Sequence, residues 1–259
     1  MSEEHLLYKV ENNVAYFTIN REKQRNAITG EAISLFLKYL DEAETDDNVR
    51  VICVSGAGDR AFCAGADLGS TMSGSKEEVM AAFKNYADLL KRLASFPKPT
   101  VARVNGTCVA GGTGFMLSCD IVIASSKAKF GTPEVNVGLF PMMIGALIFR
   151  NVLRKKAMEM ILLGDTLTAQ EALDIGMITR VTEPVSLDGE VDRVLASLAS
   201  KSPIGLMIGK KAFNEIAEKS LEDSVDILAE RLQEVASTED AKEGIMAFIE
   251  KRKPVFTGK

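Results

Sequence analysis

NGTCVAGGTGFMLSCDIVIASSKAKFGTPE, residues Asn105 to Glu134, sets a glycine-rich turn, Ala110-Gly111-Gly112, directly before an apolar segment, Thr113 to Leu117. Glycines lack a Cβ and let a ligand come close to the backbone. The unpaired N–H groups where a helix begins point at negative charge. Fourteen residues past Asp120, a Gly-Thr-Pro-Glu loop ends in Glu134 and can aim a carboxylate into the same cavity. A backbone donor for an oxyanion, facing one acid–base group, is a catalytic arrangement.

Outward from this stretch, strand, turn and helix alternate. Residues 6–10 and 14–19 flank Glu11-Asn12-Asn13, a hairpin signal. Ile33, Phe36, Leu37 and Leu40 recur at helical spacing after Thr29, a capping residue. Val49 to Ser55 reads as a strand running into Gly56-Ala57-Gly58. Val79, Phe83, Tyr86 and Leu90 mark a second helix, which Pro97-Lys98-Pro99 ends before the strand Thr100 to Val104. Another strand, Ile121 to Ser125, follows the glycine-opened helix. This is the pattern of an α/β core with covered parallel strands. Thr168 and Glu171 form a capping box for a short helix closed by Gly176. Beyond about Val181 the strands run out, and from Ser202-Pro203 onward the chain is almost wholly helical. We therefore divide it into a core, residues 1–200, and a helical C-terminal region, residues 201–259, whose broad apolar faces suit packing on the core or on another subunit.

Composition removes several classes of function. With 46% hydrophobic and 26% charged residues over 259 positions, the chain reads as a soluble globular protein with room for a large core. A formal net charge of -5 supplies no basic field for nucleic acid. The longest apolar run, Pro141 to Phe149, is nine residues, too short for a membrane span. The acidic start, MSEEHLLYK, lacks a signal-peptide pattern. Cys53, Cys63, Cys108 and Cys119 have no C-x-x-C spacing and read as core residues in a reducing compartment, the cytoplasm or an organelle matrix. The single histidine, His5, reads as a solvated terminal residue. Ser-His and Cys-His nucleophilic sites and His-ligated zinc are therefore not expected, and neither is any other metal. Proton transfer falls to Asp, Glu, Lys, Tyr or Cys.

Two further glycine segments have competing readings. Val51 to Ala61 resembles a strand followed by G-x-G-x-x-A, the fingerprint of an NAD-dependent dehydrogenase. That fingerprint needs a helix at once, and Gly65, Gly69 and Gly74 interrupt the next stretch of chain. A tight turn after a buried strand is the better account. Ala61 to Leu68 packs small residues around Gly65, which suits either a backbone approached by a ligand or a crowded turn.

Phe62-Cys63-Ala64-Gly65-Ala66-Asp67-Leu68, then Asn105-Gly106 through Ala110-Gly111-Gly112 to Cys119-Asp120, then Phe130-Gly131-Thr132-Pro133-Glu134, together resemble the enoyl-CoA hydratase/isomerase (crotonase) superfamily. Asn26-Ala27, Leu163-Gly164 with Ala169 to Gly176, and Phe248 to Arg252 fit in the same order, so the resemblance covers essentially the whole chain. It implies a spiral of ββα turns with a helical C-terminal region that trimerises, trimers often pairing into hexamers. It implies an acyl-CoA thioester as substrate, with coenzyme A part of that substrate and no separate cofactor. Ala64 and Gly111 match the oxyanion-hole positions. Gly65, Ala66, Asp67 and Leu68 match the segment along the CoA moiety, and Phe248 and Lys251 match C-terminal positions that approach CoA, sometimes from a neighbouring subunit. Glu134 matches one of two catalytic glutamates of hydratases.

The chain departs from the family pattern twice. The other hydratase glutamate falls at Gly114. Two carboxylates hold and activate the water that hydration adds, whereas one suffices to carry a proton between C2 and C4 of an enoyl chain. The departure favours isomerisation of a 3-enoyl-CoA to a 2-enoyl-CoA, with a 2-enoyl-CoA hydratase of atypical water site as the alternative, and a non-catalytic acyl-CoA-binding or scaffold protein as another. Gly114 is either a packing substitution or a sign that the space is used, for example by a bulky acyl group, since a glycine inside a helix costs about 1 kcal/mol against alanine. The second departure, Pro141-Met142-Met143-Ile144-Gly145, stands where the family has a glycine-rich turn. Met142 and Met143 either line the acyl pocket or fill the core.

Overall fold

The computed structural model describes residues 4–67, 69 and 73–259. Leu68, assigned above to the CoA segment, lies outside the described residues. The chain opens with the antiparallel hairpin β1 (Leu6–Glu11) and β2 (Val14–Ile19), turned by Asn12 and Asn13 at φ 52° and 63°. Asparagine tolerates this left-handed backbone better than other residues with a Cβ. Helix α1 (Gly30–Thr45) follows, capped by Thr29, whose hydroxyl accepts from Ala32 N at 3.2 Å.

Three turns of one repeating unit come next. They are β3 (Val51–Gly56), β4 (Ala61–Cys63) and α2 (Lys76–Ala94); β5 (Thr100–Val104), β6 (Thr107–Val109) and α3 (Gly111–Leu117); and β7 (Ile121–Ser125), β8 (Lys129–Gly131) and, after a 3-10 turn at Pro133–Val137, α4 (Met142–Asn151). Each turn lays one strand into each of two sheets, so the chain winds as a ββα spiral. After α5 (Arg154–Leu163), β9 (Thr166–Thr168), α6 (Ala169–Asp174) and β10 (Arg180–Thr182), the sheets are complete, with orders β1-β2-β3-β5-β7-β10 and β4-β6-β8-β9. Strands β3, β5 and β7 run parallel, as do β4, β6 and β8. The remaining helices are α7 (Leu187–Ala199), α8 (Pro203–Ile216), α9 (Leu221–Ala236) and α10 (Glu239–Ile249).

Strand β3 is buried along its whole length, and its side chains alternate between two layers. Ile52 and Val54 join the main core with Phe17, Phe36, Phe62 and Phe115. Val51 and Cys53 face the other way, against Leu187, Val191, Val194 and Leu195 of α7. That double coverage explains the continuous apolar run at Val51–Val54. The turn from β3 to β4 is tied by Asn105 Nδ2, which donates to Gly56 O (3.0 Å) and Gly58 O (2.6 Å), and by Asn26 Nδ2, which donates to Ala61 O (2.7 Å). A strand, not a helix, follows Gly58, so the tight-turn reading describes this segment.

His5 is not a free terminal side chain. Its Nδ1 lies 2.9 Å from Thr29 Oγ1 and 3.2 Å from Glu31 Oε2, joining the start of β1 to the cap of α1. All four cysteines are free and buried. Burial pushes the Cys53 and Cys63 thiols up to about 12, which leaves them protonated and unreactive. No helix among the described residues is long and apolar enough to cross a membrane.

Candidate active site

Strands β4, β6 and β8 are neighbours in the small sheet and run the same way, so the segments leaving their C-terminal ends emerge side by side. Ligands bind off such strand ends in α/β proteins. Here Ala64 and Ala66 follow β4, Ala110 and Gly111 follow β6, and Pro133 and Glu134 follow β8, all lining a cavity of about 410 Å³. Tyr86 of α2 and Met142, Met143 and Ile144 of α4 complete its walls. Glu134 is the only charged residue among those described as lining it.

The segments approach each other more closely than side chains would allow. A Cβ on Gly112 would stand 2.2 Å from the Cys63 carbonyl oxygen. Gly65, at φ +95°, leaves no room either: a Cβ there would fall 2.8 Å from Ala110 Cβ and 3.1 Å from Gly111 N. Ala110 itself sits at φ 51°, ψ −131°, a conformation that costs a residue with a Cβ on the order of 1–3 kcal/mol. Several bonds hold it there. Ala110 N donates to Gly131 O (3.0 Å), Thr113 N to Ala110 O (2.9 Å), and the Tyr86 hydroxyl to Gly111 O (2.6 Å).

Two backbone N–H groups of the cavity-lining residues that follow β4 and β6 have no acceptor among the described residues. One is that of Gly111, the first residue of α3. The other belongs to Ala66, which forms a parallel bridge with Ile28. In that bridge Ile28 N donates to Gly65 O (2.8 Å) and Asp67 N to Ile28 O (2.9 Å), which leaves the N–H of Ala66 on the far side. The expectation that Ala64 supplies the first donor fails here, because Ala64 N donates to Arg25 O at 3.1 Å. The free donor of this loop is two residues further on. Asp67 turns to Arg21 (2.9 Å) and anchors the loop; it does not line the cavity.

Glu134 stands half-buried at the start of the 3-10 turn, with Oε2 buried and without a hydrogen-bond partner. Burial pushes its carboxyl above the usual carboxylate range, against a smaller opposing hydrogen bond from its own backbone. Gly114 corrects a second expectation. It is buried, it does not line the cavity, and its space is not held for an acyl group. A Cβ there would meet Ile144 Cγ2 at 2.5 Å, the Tyr86 hydroxyl at 2.8 Å and Leu90 Cδ2 at 3.2 Å. Met142 and Met143 both line the cavity, Met142 at its rim with 75% of its surface exposed. Phe248 and Lys251 are not among the lining residues, and Phe248 is 85% exposed.

Tyr86 is the residue that sequence reasoning underread, as one apolar position in a helical stripe. The available signal was its hydroxyl, which needs a partner once the ring is buried.

The family model for enoyl-CoA hydratase/isomerase matches residues 9–259. The chain belongs to that family. Among its relatives, the short-chain-enoyl-CoA hydratase of Clostridium acetobutylicum is 33% identical over 96% of this chain and 96% of its own length. The 1,2-epoxyphenylacetyl-CoA isomerase of Escherichia coli is 34% identical over 99% of each. The crystal structure of an enoyl-CoA hydratase from Bacillus anthracis superposes with a TM-score of 0.94 at 28% identity, covering 98% of this chain and all of the other. The protein is thus a crotonase-fold enzyme of a family that acts on acyl-CoA thioesters.

The contacts around Gly114 predict the sign of one substitution. Gly114→Ala gains up to about 1 kcal/mol of helix propensity but overpacks a filled space, typically at a cost of about 1–3 kcal/mol. Its urea midpoint should therefore fall; a raised midpoint would mean that the space is open.

Glu134 predicts a pH dependence. Its folded-state pKa is raised, so the folded protein holds that proton more tightly than the unfolded chain, and stability is lost as pH rises through the window from about the ordinary carboxylate value of 4.5 to the raised one. Glu134→Gln never ionises. Denaturation across pH should show the variant gaining on the wild type through that window and the difference holding constant below it. A difference independent of pH would contradict the raised pKa.

Proposed function

We propose that the enzyme isomerises 3-enoyl-CoA to 2-enoyl-CoA, with Glu134 carrying the proton and the N–H groups of Ala66 and Gly111 holding the thioester oxygen. The carboxylate removes a proton from C2, the electrons pass into the thioester carbonyl, and the enolate oxygen lies between the two donors. Collapse of the dienolate moves the double bond from C3–C4 to C2–C3, and Glu134 returns the proton at C4. One donor of this kind is worth about 3 kcal/mol in the transition state. The raised carboxyl pKa suits a group that must take and return a proton near neutral pH. No cofactor enters these steps beyond the CoA of the substrate.

One observation carries the choice of isomerisation. The Tyr86 hydroxyl and Ile144 fill the space beside Gly114, which leaves Glu134 as the only carboxylate among the described lining residues. Hydration is the second reading, favoured by the similarity to the Clostridium acetobutylicum hydratase. It would need a water held without a second carboxylate.

The wall formed by Leu139, Phe140, Met142 and Met143 supports an uncharged, apolar acyl chain. For assembly we propose a homotrimer, alone or paired into a hexamer, formed through the helical region 201–259. Exposed apolar residues on that region, among them Phe213, Leu232, Ile245 and Phe248, support it. In such an assembly Phe248 and Lys251 would approach the CoA of a neighbouring subunit.

A 3-enoyl-CoA carrying deuterium at C2 should give 2-enoyl-CoA with part of the label at C4, and Glu134→Gln should lower turnover at least about a hundredfold while CoA-ester binding persists. Rapid hydration of 2-enoyl-CoA without isomerisation would overturn this reading in favour of the second.

Met142→Gly should shift the preferred acyl length while leaving affinity for CoA itself unchanged. An unaltered profile across chain lengths would remove Met142 from the acyl site.

A further inference from the structure

Among the described cavity residues, Tyr86 is the buried polar side chain that the proton transfer leaves without a role. Its ring is held edge-on to Phe115, with centroids 5.5 Å apart at 81°, and Phe115 stacks on Phe36 at 5.7 Å. The hydroxyl is therefore delivered by a rigid column of rings, and it donates to Gly111 O at 2.6 Å. Burial, reinforced by the nearby Cys63 and Glu134, holds the phenol proton well above its ordinary pKa, so the group remains a donor while Glu134 cycles.

We propose that Tyr86 is a positioning residue for the oxyanion site: by holding Gly111 O, it keeps the Ala110–Gly111 turn in the orientation that leaves the Gly111 N–H free toward the cavity. The need for such a holder is written in the backbone. Ala110 lies at φ 51°, ψ −131°, a conformation that a residue with a Cβ leaves when its restraints are removed. The bonds from Ala110 N to Gly131 O and from Thr113 N to Ala110 O restrain the turn on one side, and the Tyr86 hydroxyl restrains it on the other. Without that hydroxyl the half-buried Gly111 carbonyl loses a partner, and the turn relaxes about Gly111, which turns the adjoining Ala110–Gly111 peptide that carries the N–H. The same hydroxyl closes the space beside Gly114, so one group both aims the donor and keeps a second acid out.

The inference rests on the acyl-CoA reading of the cavity, and the test separates the two. The probe is hexanoyl-CoA labelled with ¹³C at the carbonyl, a saturated ester that binds without reacting. Its thioester stretch, followed by infrared difference spectroscopy, should fall on binding to the wild type, because two N–H donors polarise the carbonyl. Tyr86→Phe keeps the ring and its packing. It should lose most of that fall, with kcat reduced roughly tenfold or more and KM within about threefold, as for an interaction made chiefly in the transition state. Ala110→Gly in the same chain should restore part of both, since glycine adopts the required backbone without strain. A Tyr86→Phe enzyme with the stretch and turnover of the wild type, or one whose loss Ala110→Gly leaves untouched, overturns the positioning role. A wild type that binds the probe with no fall in the stretch overturns the oxyanion site itself, and this inference with it.

Discussion

The contact between Gly112 and the Cys63 carbonyl governs the site. At 2.2 Å from that oxygen to a hypothetical Cβ, no other residue fits at position 112 without moving a strand end. This approach lets α3 start directly against the end of β4, and so brings the Gly111 and Ala66 donors to one wall. The spiral supplies the rest of the geometry. Because β4, β6 and β8 are parallel neighbours, each successive turn adds one loop to the same rim, and Glu134 arrives on the third. The groups that line the cavity are far apart in the chain but adjacent in the sheet.

Rigidity at this rim comes from the aromatic rings beneath it. Phe17 stacks on Phe36 at 4.9 Å, Phe36 on Phe115 at 5.7 Å, and Tyr86 meets Phe115 edge-on. The column runs from the first hairpin through α1 and α3 to the phenol at the cavity, tying the large sheet to the helices behind the cavity. Such ring pairs contribute about 0.5–1.5 kcal/mol each beyond their buried area. They also limit the rotamers open to Tyr86, and a strained turn at Ala110 needs fixed neighbours of that kind.

The electrostatics are simple because the cavity is apolar. Glu134 is its one charged residue among those described, and the desolvation that raises its pKa comes from the same walls that would hold an acyl chain. A second carboxylate would have to displace the Tyr86 hydroxyl and Ile144. The chemistry open to the site is therefore set as much by what packs around Gly114 as by the missing side chain.

The sequence alone determined the order of the elements wherever they were long enough to show a period: the Asn12-Asn13 hairpin, α1 behind its Thr29 cap, the α2 stripe, the buried parallel strands, and the capping box at Thr168. It also carried the three glycine and loop motifs, in register, that mark the family. The small sheet escaped because its strands are three residues each, too short for alternation to register. Helix α7 did carry the signal, since Leu187, Val191, Val194 and Leu195 recur at helical spacing. Which N–H of the Ala64–Asp67 loop is free was decided only by the tertiary structure, because Arg25 and Ile28 take their partners from across the chain. The same holds for Gly114 and Tyr86. A motif states which residues stand near a ligand, but hydrogen-bond direction and filled volume depend on neighbours that no local pattern encodes.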